Sequence, residues 1–356
     1  MTRNRDQKGF VLILALVIIG AVAFGTSMIG EWSSRALRDA IAAKQEATAE
    51  RAMATARANL IYQLTTNFLS VRGLELPDNT DSARSMRERA LADPLMGGAT
   101  VAGPRLLRLD GRSYIYDDDV AVSVQDARGL INLNVFNEAE LARLLGYYNV
   151  PAEAYQSLIN RLQDYREPGD LPRLGGAKRP QYAEAGKPPP TGQPLVTPWQ
   201  ARAVLGWESY PAMWQDPGLP DKTSAGIVVG LNINTAPIDL LGTIFQIPAE
   251  QLPRLAQARE SVALSTPNDL RQFGAAAPTS DPLRYISFPA DTLIVTLRGR
   301  RAPIKSVISL ALTPNGLTQP WRIDYALEIP FGSADAERTR ENVARFPAVV
   351  SSLATR

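Results

Sequence analysis

The sequence predicts an α+β fold that combines one long N-terminal helix, a set of antiparallel strands and an all-α domain. Three observations lead to this prediction: a helical pattern over residues 10–72, helical patterning over 129–284, and alternating strand-like segments on both sides of that region. With 356 residues, the chain is long enough for two or three domains that each bury a core.

The first element is an apolar segment that follows a short basic stretch. Residues 10–30 contain no ionisable side chain, and 21 helical residues at roughly 1.5 Å each can cross a bilayer core of about 30 Å. Arg3, Arg5 and Lys8 outnumber the acidic Asp6 ahead of this segment. We therefore expect a single-pass inner-membrane protein with a cytoplasmic N-terminus and its bulk in the periplasm.

The helical pattern continues beyond the apolar segment. Apolar residues recur at helical spacing from Glu31 to Arg72, no proline interrupts them, and Gly73 is a plausible stop. We expect the second part of this helix to pack on the chain's own globular domain. Nearer the membrane, one face carries small residues that suit the close approach of another helix: Ala36, Ala40, Ala43 and Ala47.

Strand patterns lie on both sides of the central helical region. Residues 105–109 and 112–116 are predicted as two strands joined by an Asp110-Gly111 hairpin turn, and 120–124 as a third strand. Three later segments alternate in the same way: 292–297, 304–313 and 323–329.

The central region contains a weak duplication. Asn132-Leu-Asn134 leads to Pro151-Ala-Glu153, and Asn232-Ile-Asn234 leads to Pro248-Ala-Glu250. The second asparagine, or a residue just after it, can cap a helix, and Pro-Ala-Glu is typical of a helix start. Residues 129–284 are therefore predicted as two related units of the SAM or helix-hairpin-helix type, separated by a Pro- and Gly-rich loop over 166–198.

The second unit resembles the opening of helix-hairpin-helix modules, many of which bind DNA phosphates. Its turn, residues 245–250, lacks glycine and contains Pro248 and Glu250 where backbone N–H groups and basic side chains would be needed. The net charge of +2 also argues against a general nucleic-acid binder. No nucleic-acid partner is expected.

Missing residue types limit the chemistry available to the chain. It has no Cys and no His, which excludes disulfides, thiol nucleophiles, iron–sulfur clusters and the Ser-His-Asp triad. Catalysis by carboxylates or Lys stays open, but no pair of acids has a spacing that indicates a site. We expect no enzymatic activity and assign no catalytic residue.

The N-terminus resembles the type IV prepilin leader. In that family a prepilin peptidase cuts after the glycine, here Gly9, and the new first residue, here Phe10, is N-methylated. Most members carry Glu at the fifth mature position, where this chain has Leu14. A buried carboxylate in a bilayer needs a neighbour's amine, so its loss suggests a first subunit at the tip of a fibre.

Two alternatives for the N-terminus remain open. A secretory signal peptide would be cut after Ala23, within an A-x-A pattern, and would leave Phe24 as the first residue. A plain signal anchor would not be cut and would begin at Met1 or Thr2.

A resemblance over nearly the whole chain is more specific. A leader with Leu14, the Gly129-x-x-Asn-Leu-Asn134 motif and residues 232–237 together resemble the K-type minor pseudopilins of the type II secretion system. Residues 164–177 and 204–206 match as well. In that family the helical domain is inserted into a pilin-like domain, and the later strands here would complete the earlier sheet.

The resemblance implies a domain organisation, a role and partners. The implied boundaries are 1–9 leader, 10–30 transmembrane half of the helix, 31–72 periplasmic half, 73–128 and 285–330 pilin-like domain, 129–284 inserted helical domain, and 331–356 mobile C-terminal tail. The implied role is structural, at the tip of the pseudopilus. The implied partners are the I- and J-type minor pseudopilins, the major pseudopilin, prepilin peptidase, the inner-membrane secretion platform and exoproteins. The alternative function is an anchored or secreted binding module that forms no fibre.

Calcium is where the chain departs from the family, some of whose members bind it in the loop of the helical domain. Lys178 occupies a position that is acidic in relatives. Four acids remain nearby: Asp164, Glu167, Asp170 and Glu184. Because a calcium ion needs several converging oxygens, the positive charge of Lys178 makes a site there doubtful, and no metal or other cofactor is expected.

Overall fold

The computed structural model describes residues 7–76, 106–117, 120–276, 284–299, 304–330 and 344–347, without the side chains of 7–11, 304 and 330. The helices are α1 Gln7–Thr66, α2 Glu138–Tyr147, α3 Tyr155–Arg166, α4 Arg179–Glu184, α5 Ile238–Phe245 and α6 Leu252–Ser261. The strands are β1 Phe68–Ser70, β2 Gly73–Glu75, β3 Leu106–Leu107, β4 Asp110–Ile115, β5 Val120–Asp126, β6 Ile131–Asn132, β7 Thr223–Ser224, β8 Thr292–Gly299, β9 Ile304–Leu312, β10 Trp321–Pro330 and β11 Ala344–Arg345. Short 3₁₀ helices are Ala127–Gly129, Ala152–Ala154, Pro198–Ala203, Trp207–Ser209, Pro211–Trp214, Leu219–Asp221, Ala249–Gln251 and Pro267–Phe273. The predicted α+β fold is confirmed.

Helix α1 is 60 residues long and has two different environments along its length. Residues 12–48 are exposed apart from the half-buried Gly25. From residue 49 onward, side chains three and four positions apart form one buried stripe: Ala49, Met53, Ala56, Leu60 and Leu64. This spacing places them on one helix face, which packs against β5 and β8.

The helix ends at Thr66 rather than near the predicted Arg72. Hydroxyl groups of Thr65 and Thr66 and the Asn67 amide donate back to carbonyls one turn earlier, at 2.7–2.9 Å. Such side-chain bonds compete with helix continuation. The following residues form the β1–β2 hairpin instead, and Gly73 adopts a positive φ of 137° in it.

The main sheet has six strands in the order β10-β9-β8-β5-β4-β11. All neighbours are antiparallel except β11 and β4. Alternate residues of β8 turn toward α1 and are buried: Leu293, Val295 and Leu297. The later strands thus complete the sheet begun by β4 and β5, as expected.

The predicted Asp110-Gly111 hairpin is wrong. Strand β3 pairs with β2 in a separate three-stranded sheet, while β4 pairs with β5. Gly111 has a positive φ of 77°, but it lies inside β4, where the register shifts between Asp110 and Ser113. A glycine with positive φ can form a β-bulge as readily as a hairpin turn. The Asp-Gly dipeptide alone therefore could not distinguish a bulge from a turn.

Part of the predicted mobile tail is ordered into the sheet. Ala344 and Arg345 pair with β4, and the next residue, Phe346, is buried against Tyr114 and Tyr116. The aromatic contacts explain why this short stretch remains bound at the edge of the sheet.

The helical domain leaves the sheet at the end of β5 and returns at the start of β8. These two strands are neighbours, and Asp126 lies opposite Leu293 in their ladder. The helical domain has its own hydrophobic core, separate from the one between α1 and the sheet. Helices α2 and α3 form its first unit, and α5 and α6 its second.

Candidate interaction surfaces: the exposed helix and the domain junction

The N-terminal part of α1, residues 12–48, is almost entirely exposed. Leu14 is 47% exposed, and the four predicted interface alanines at 36, 40, 43 and 47 are all exposed. A Cβ atom placed on Gly20, Gly25 or Gly30 would meet nothing within 4 Å. This is also the described helix long and apolar enough to cross a membrane, by length and composition.

The predicted processing residues lie at the edge of the described region. Gly9 and Phe10 fall within the span of α1, but the Phe10 side chain is outside the described part. Cleavage after Gly9 and methylation of Phe10 therefore stay predictions.

A buried carboxylate joins the two domains. The side chain of Asp126 is fully buried and accepts four hydrogen bonds, from the backbone N–H groups of Arg128 and Ala290 and from the side chains of Asn232 and Thr235. The donors belong to the start of the helical domain, its second unit and the return to β8. Burial raises the pKa of Asp126, and the four hydrogen bonds oppose that rise.

A second contact across the junction uses Lys305 of β9. Its ammonium group is buried and lies 2.8 Å from a carboxylate oxygen of Asp216 and 2.8 Å from one of Asp221. Both carboxylates belong to the helical domain, so the pair of ion bridges fixes this domain on the face of the sheet opposite α1.

Asn134 and Asn234 do not cap helices themselves; of the two positions predicted for the cap, the one after the asparagine is used in the first unit. Asn134 and Asn234 each receive a backbone N–H bond and donate one back, to Leu195 and Leu264 respectively, at 2.7–2.9 Å. Each asparagine thus clamps the opening of its unit to the segment that closes it. The cap of α2 is Asn137 instead, and Pro237 precedes α5.

An arginine completes each clamp. Arg166, at the end of α3, donates to the Asn134 carbonyl, and Arg259, near the end of α6, donates to the Asn234 carbonyl. Sequence analysis missed both arginines and both closing segments. The available signal was the pattern Leu-x-Thr-Pro, which occurs at 195–198 and again at 264–267.

The loop of the first unit is held by buried charges. The Lys178 ammonium is buried and donates to the carbonyl oxygens of Asp164 and Glu167, at 2.8 and 2.7 Å. The Asp164 carboxylate accepts bonds from the backbone and guanidinium of Arg173 and from the backbone of Ala177. The carbonyl oxygens of Asp164 and Glu167 are thus already bonded to Lys178. In the described ranges, no group of three or more acids could hold a metal ion.

Comparison with known proteins gives a structural likeness but no match in sequence. No protein family model matches the chain, and no curated protein matches it. The chain is similar to one from the crystal structure of the GspK-GspI-GspJ complex of the enterotoxigenic Escherichia coli Type 2 Secretion System, with 15% identity and a TM-score of 0.40. The alignment covers 69% of this chain and 94% of that chain.

Proposed function

We propose that this chain is a structural minor pseudopilin that begins, and remains at the tip of, a type II secretion pseudopilus. The observation that carries the proposal is the division of α1: residues 12–48 are uncovered, while the buried stripe from Ala49 onward holds a folded domain. A subunit of a helical fibre needs such a free helix, first in the membrane and then against neighbouring helices.

The proposed orientation follows from the charges that flank the apolar segment. The N-terminus stays in the cytoplasm and the bulk lies in the periplasm. Prepilin peptidase cuts after Gly9, and Phe10 becomes the methylated first residue.

The tip position is supported by where the helical domain lies. Arg72, six residues beyond the end of α1, donates a 2.8 Å hydrogen bond to the carbonyl of Glu260 in α6. The helical domain therefore contacts the chain just beyond the end of α1 that lies away from the membrane segment. A following subunit has no free helix end to stack upon there.

The proposed partners bind through the uncovered part of α1. The I- and J-type minor pseudopilins lie beside it and start fibre growth on the inner-membrane platform, and the major pseudopilin adds beneath. Growth of the fibre then supports export of folded exoproteins across the outer membrane. The chain has no catalytic role in this process.

N-terminal sequencing of the membrane-extracted protein tests the proposal. A methylated phenylalanine at position 10 is expected; Phe24 would indicate a free secreted binding module, and Met1 or Thr2 a plain anchor. Gly9→Val should leave a full-length precursor in the membrane. The matched change Gly20→Val, at an open position of the same segment, should be cut normally. Normal cutting of the Gly9 variant contradicts the proposal.

Assembly is tested on the small-residue face. Ala43→Trp should prevent the variant from being co-purified with the I- and J-type subunits, because a large side chain keeps a neighbouring helix at a distance. Ala54→Trp is the control, since Ala54 is exposed on the part of α1 that already packs on the sheet. Equal recovery of both variants with the partner subunits would exclude this face as the interface.

A further inference from the structure

Four arginines from three chain segments converge where the second helical unit meets the β1–β4 region. Arg72 and Arg108 both donate to the Glu260 carbonyl at 2.8 Å, and Arg108 also donates to the Arg259 carbonyl at 3.2 Å. Arg112 lies beside them and contacts the Glu260 carboxylate. Positive charges at the last carbonyls of a helix are favourable, which explains part of this arrangement.

Among the described residues, the positive charges of this cluster outnumber the negative charges of the acids that interact with it. The carboxylates that interact with these arginines, within the described residues, are those of Asp110 and Glu260, so four positive charges face two negative ones. Burial, together with the neighbouring Arg112 and Arg108, lowers the pKa of Arg259 to about 10 despite the two acids. Uncompensated charge in a half-buried site is costly unless a counter-charge is bound.

The site also has hydrogen-bond donors to spare and an open side. The Nε atom of Arg72 is buried without an acceptor, and the Arg72 side chain makes one described bond, to Glu260. The side chains of Arg112 and Glu260 are 39% and 48% exposed, so solvent reaches the cluster from their side. The Glu260 carboxylate, bound between Arg108 and Arg112, shows how an oxyanion fits there.

We propose that this arginine cluster (Arg72, Arg108, Arg112 and Arg259) is a binding site for a carboxylate of an acidic polypeptide segment. The planar guanidinium groups match the two oxygens of a carboxylate. An incoming carboxylate lies beside Glu260 on the open side and reduces the excess positive charge. This goes beyond the proposed function and does not depend on whether the chain enters a fibre.

The test uses the full chain in a nonionic detergent at low ionic strength, with tetraglutamate as the probe and isothermal titration as the measurement. Saturable binding is expected. Glu260→Gln keeps an acceptor but removes the competing negative charge, and should tighten binding at least about threefold. Arg112→Gln should weaken it by a similar factor. Arg322→Gln removes the same charge from an exposed arginine on β10 and should change nothing.

Three results would overturn the proposal. One is the absence of saturable binding, and another is equal weakening by Arg322→Gln and Arg112→Gln, which would indicate general attraction to a basic surface. The third is a Glu260→Gln variant that binds no tighter; because Glu260 is half exposed, this variant is informative even if Arg112→Gln fails to fold. Inorganic phosphate at equal ionic strength should bind more weakly than tetraglutamate, and stronger binding would refute the assignment to carboxylates.

Discussion

The two units of the helical domain share a clamp but differ in the length of chain between their second helix and the segment that closes them. In both, an asparagine ties the opening of the unit to a Leu-x-Thr-Pro segment, and an arginine near the end of the unit's second helix donates to the carbonyl of that asparagine. In the second unit only residues 262–263 separate α6 from that segment, whereas in the first unit 167–194 intervene after α3. The clamp is therefore sufficient to close a unit, and the longer loop requires buried charges of its own.

The second unit has a further function in the fold. Asp126 binds it to the sheet through Asn232 and Thr235, whereas the first unit has Asp164, which binds only its own loop. The two fully buried aspartates thus bind different parts of the structure. One joins domains, and the other closes a loop.

The largest expected effect comes from breaking the junction. Asp126→Ala leaves four donors, three of them buried, without an acceptor and should lower the free energy of unfolding by about 3–5 kcal/mol. Chemical denaturation measures it. Asp164→Ala is the matched control, which should increase hydrogen exchange mainly in residues 167–178. Equal loss of global stability in both variants would show that Asp164, like Asp126, stabilises more than its own loop.

Removing the clamp should affect the two units equally. Asn134→Ala and Asn234→Ala each delete an amide that donates and accepts partly buried bonds, so each should cost about 2–3 kcal/mol in the free energy of unfolding. Hydrogen exchange should report loss of protection at Leu195 in the first variant and at Leu264 in the second. A much larger effect at one site would mean that the two asparagines stabilise their units to different extents.

A local effect is expected in the loop of the first unit. Lys178→Met deletes two bonds from a buried ammonium to carbonyl oxygens and should cost about 2 kcal/mol. The readout is faster proteolysis within 167–194, with 262–264 as the internal reference. Unchanged cleavage would show that Lys178 does not hold the loop.

Calcium titration sharpens the same comparison. With the Lys178 ammonium bonded to the carbonyls of Asp164 and Glu167, we expect no micromolar calcium binding by the full chain. Isothermal titration in detergent measures it directly. Micromolar binding would contradict the interpretation of Lys178.

The smallest expected effect concerns alkaline pH. Burial raises the pKa of Tyr182, in α4 of the first unit, to about 12, while the unfolded value is 10. The unfolded chain loses this proton first, so the contribution of Tyr182 to stability is complete below pH 10 and declines between pH 10 and 12. Tyr182→Phe should cost about 1 kcal/mol at neutral pH and make stability fall less steeply over that interval. An unchanged pH dependence would mean that Tyr182 is not the group responsible.

The helical and strand periodicity of the sequence predicted which residues are buried within an element. It did not predict features that depend on contacts between distant segments. The buried stripe of α1 and the alternation of β8 were readable because burial follows the helix and strand repeats. The helix end near Thr66 and the bulge at Gly111 depend on side-chain bonds and pairing partners that no local pattern specifies. Asp126 could not be recognised either, since its donors include the backbone of Ala290, 164 residues away.

The Asp126–Leu293 ladder pair has one more consequence. Both ends of the inserted domain lie within one strand spacing of each other, a gap of about 5 Å that a tight turn can bridge. The helical domain is therefore an insertion within one antiparallel strand pair, and the strand order of the sheet does not depend on it.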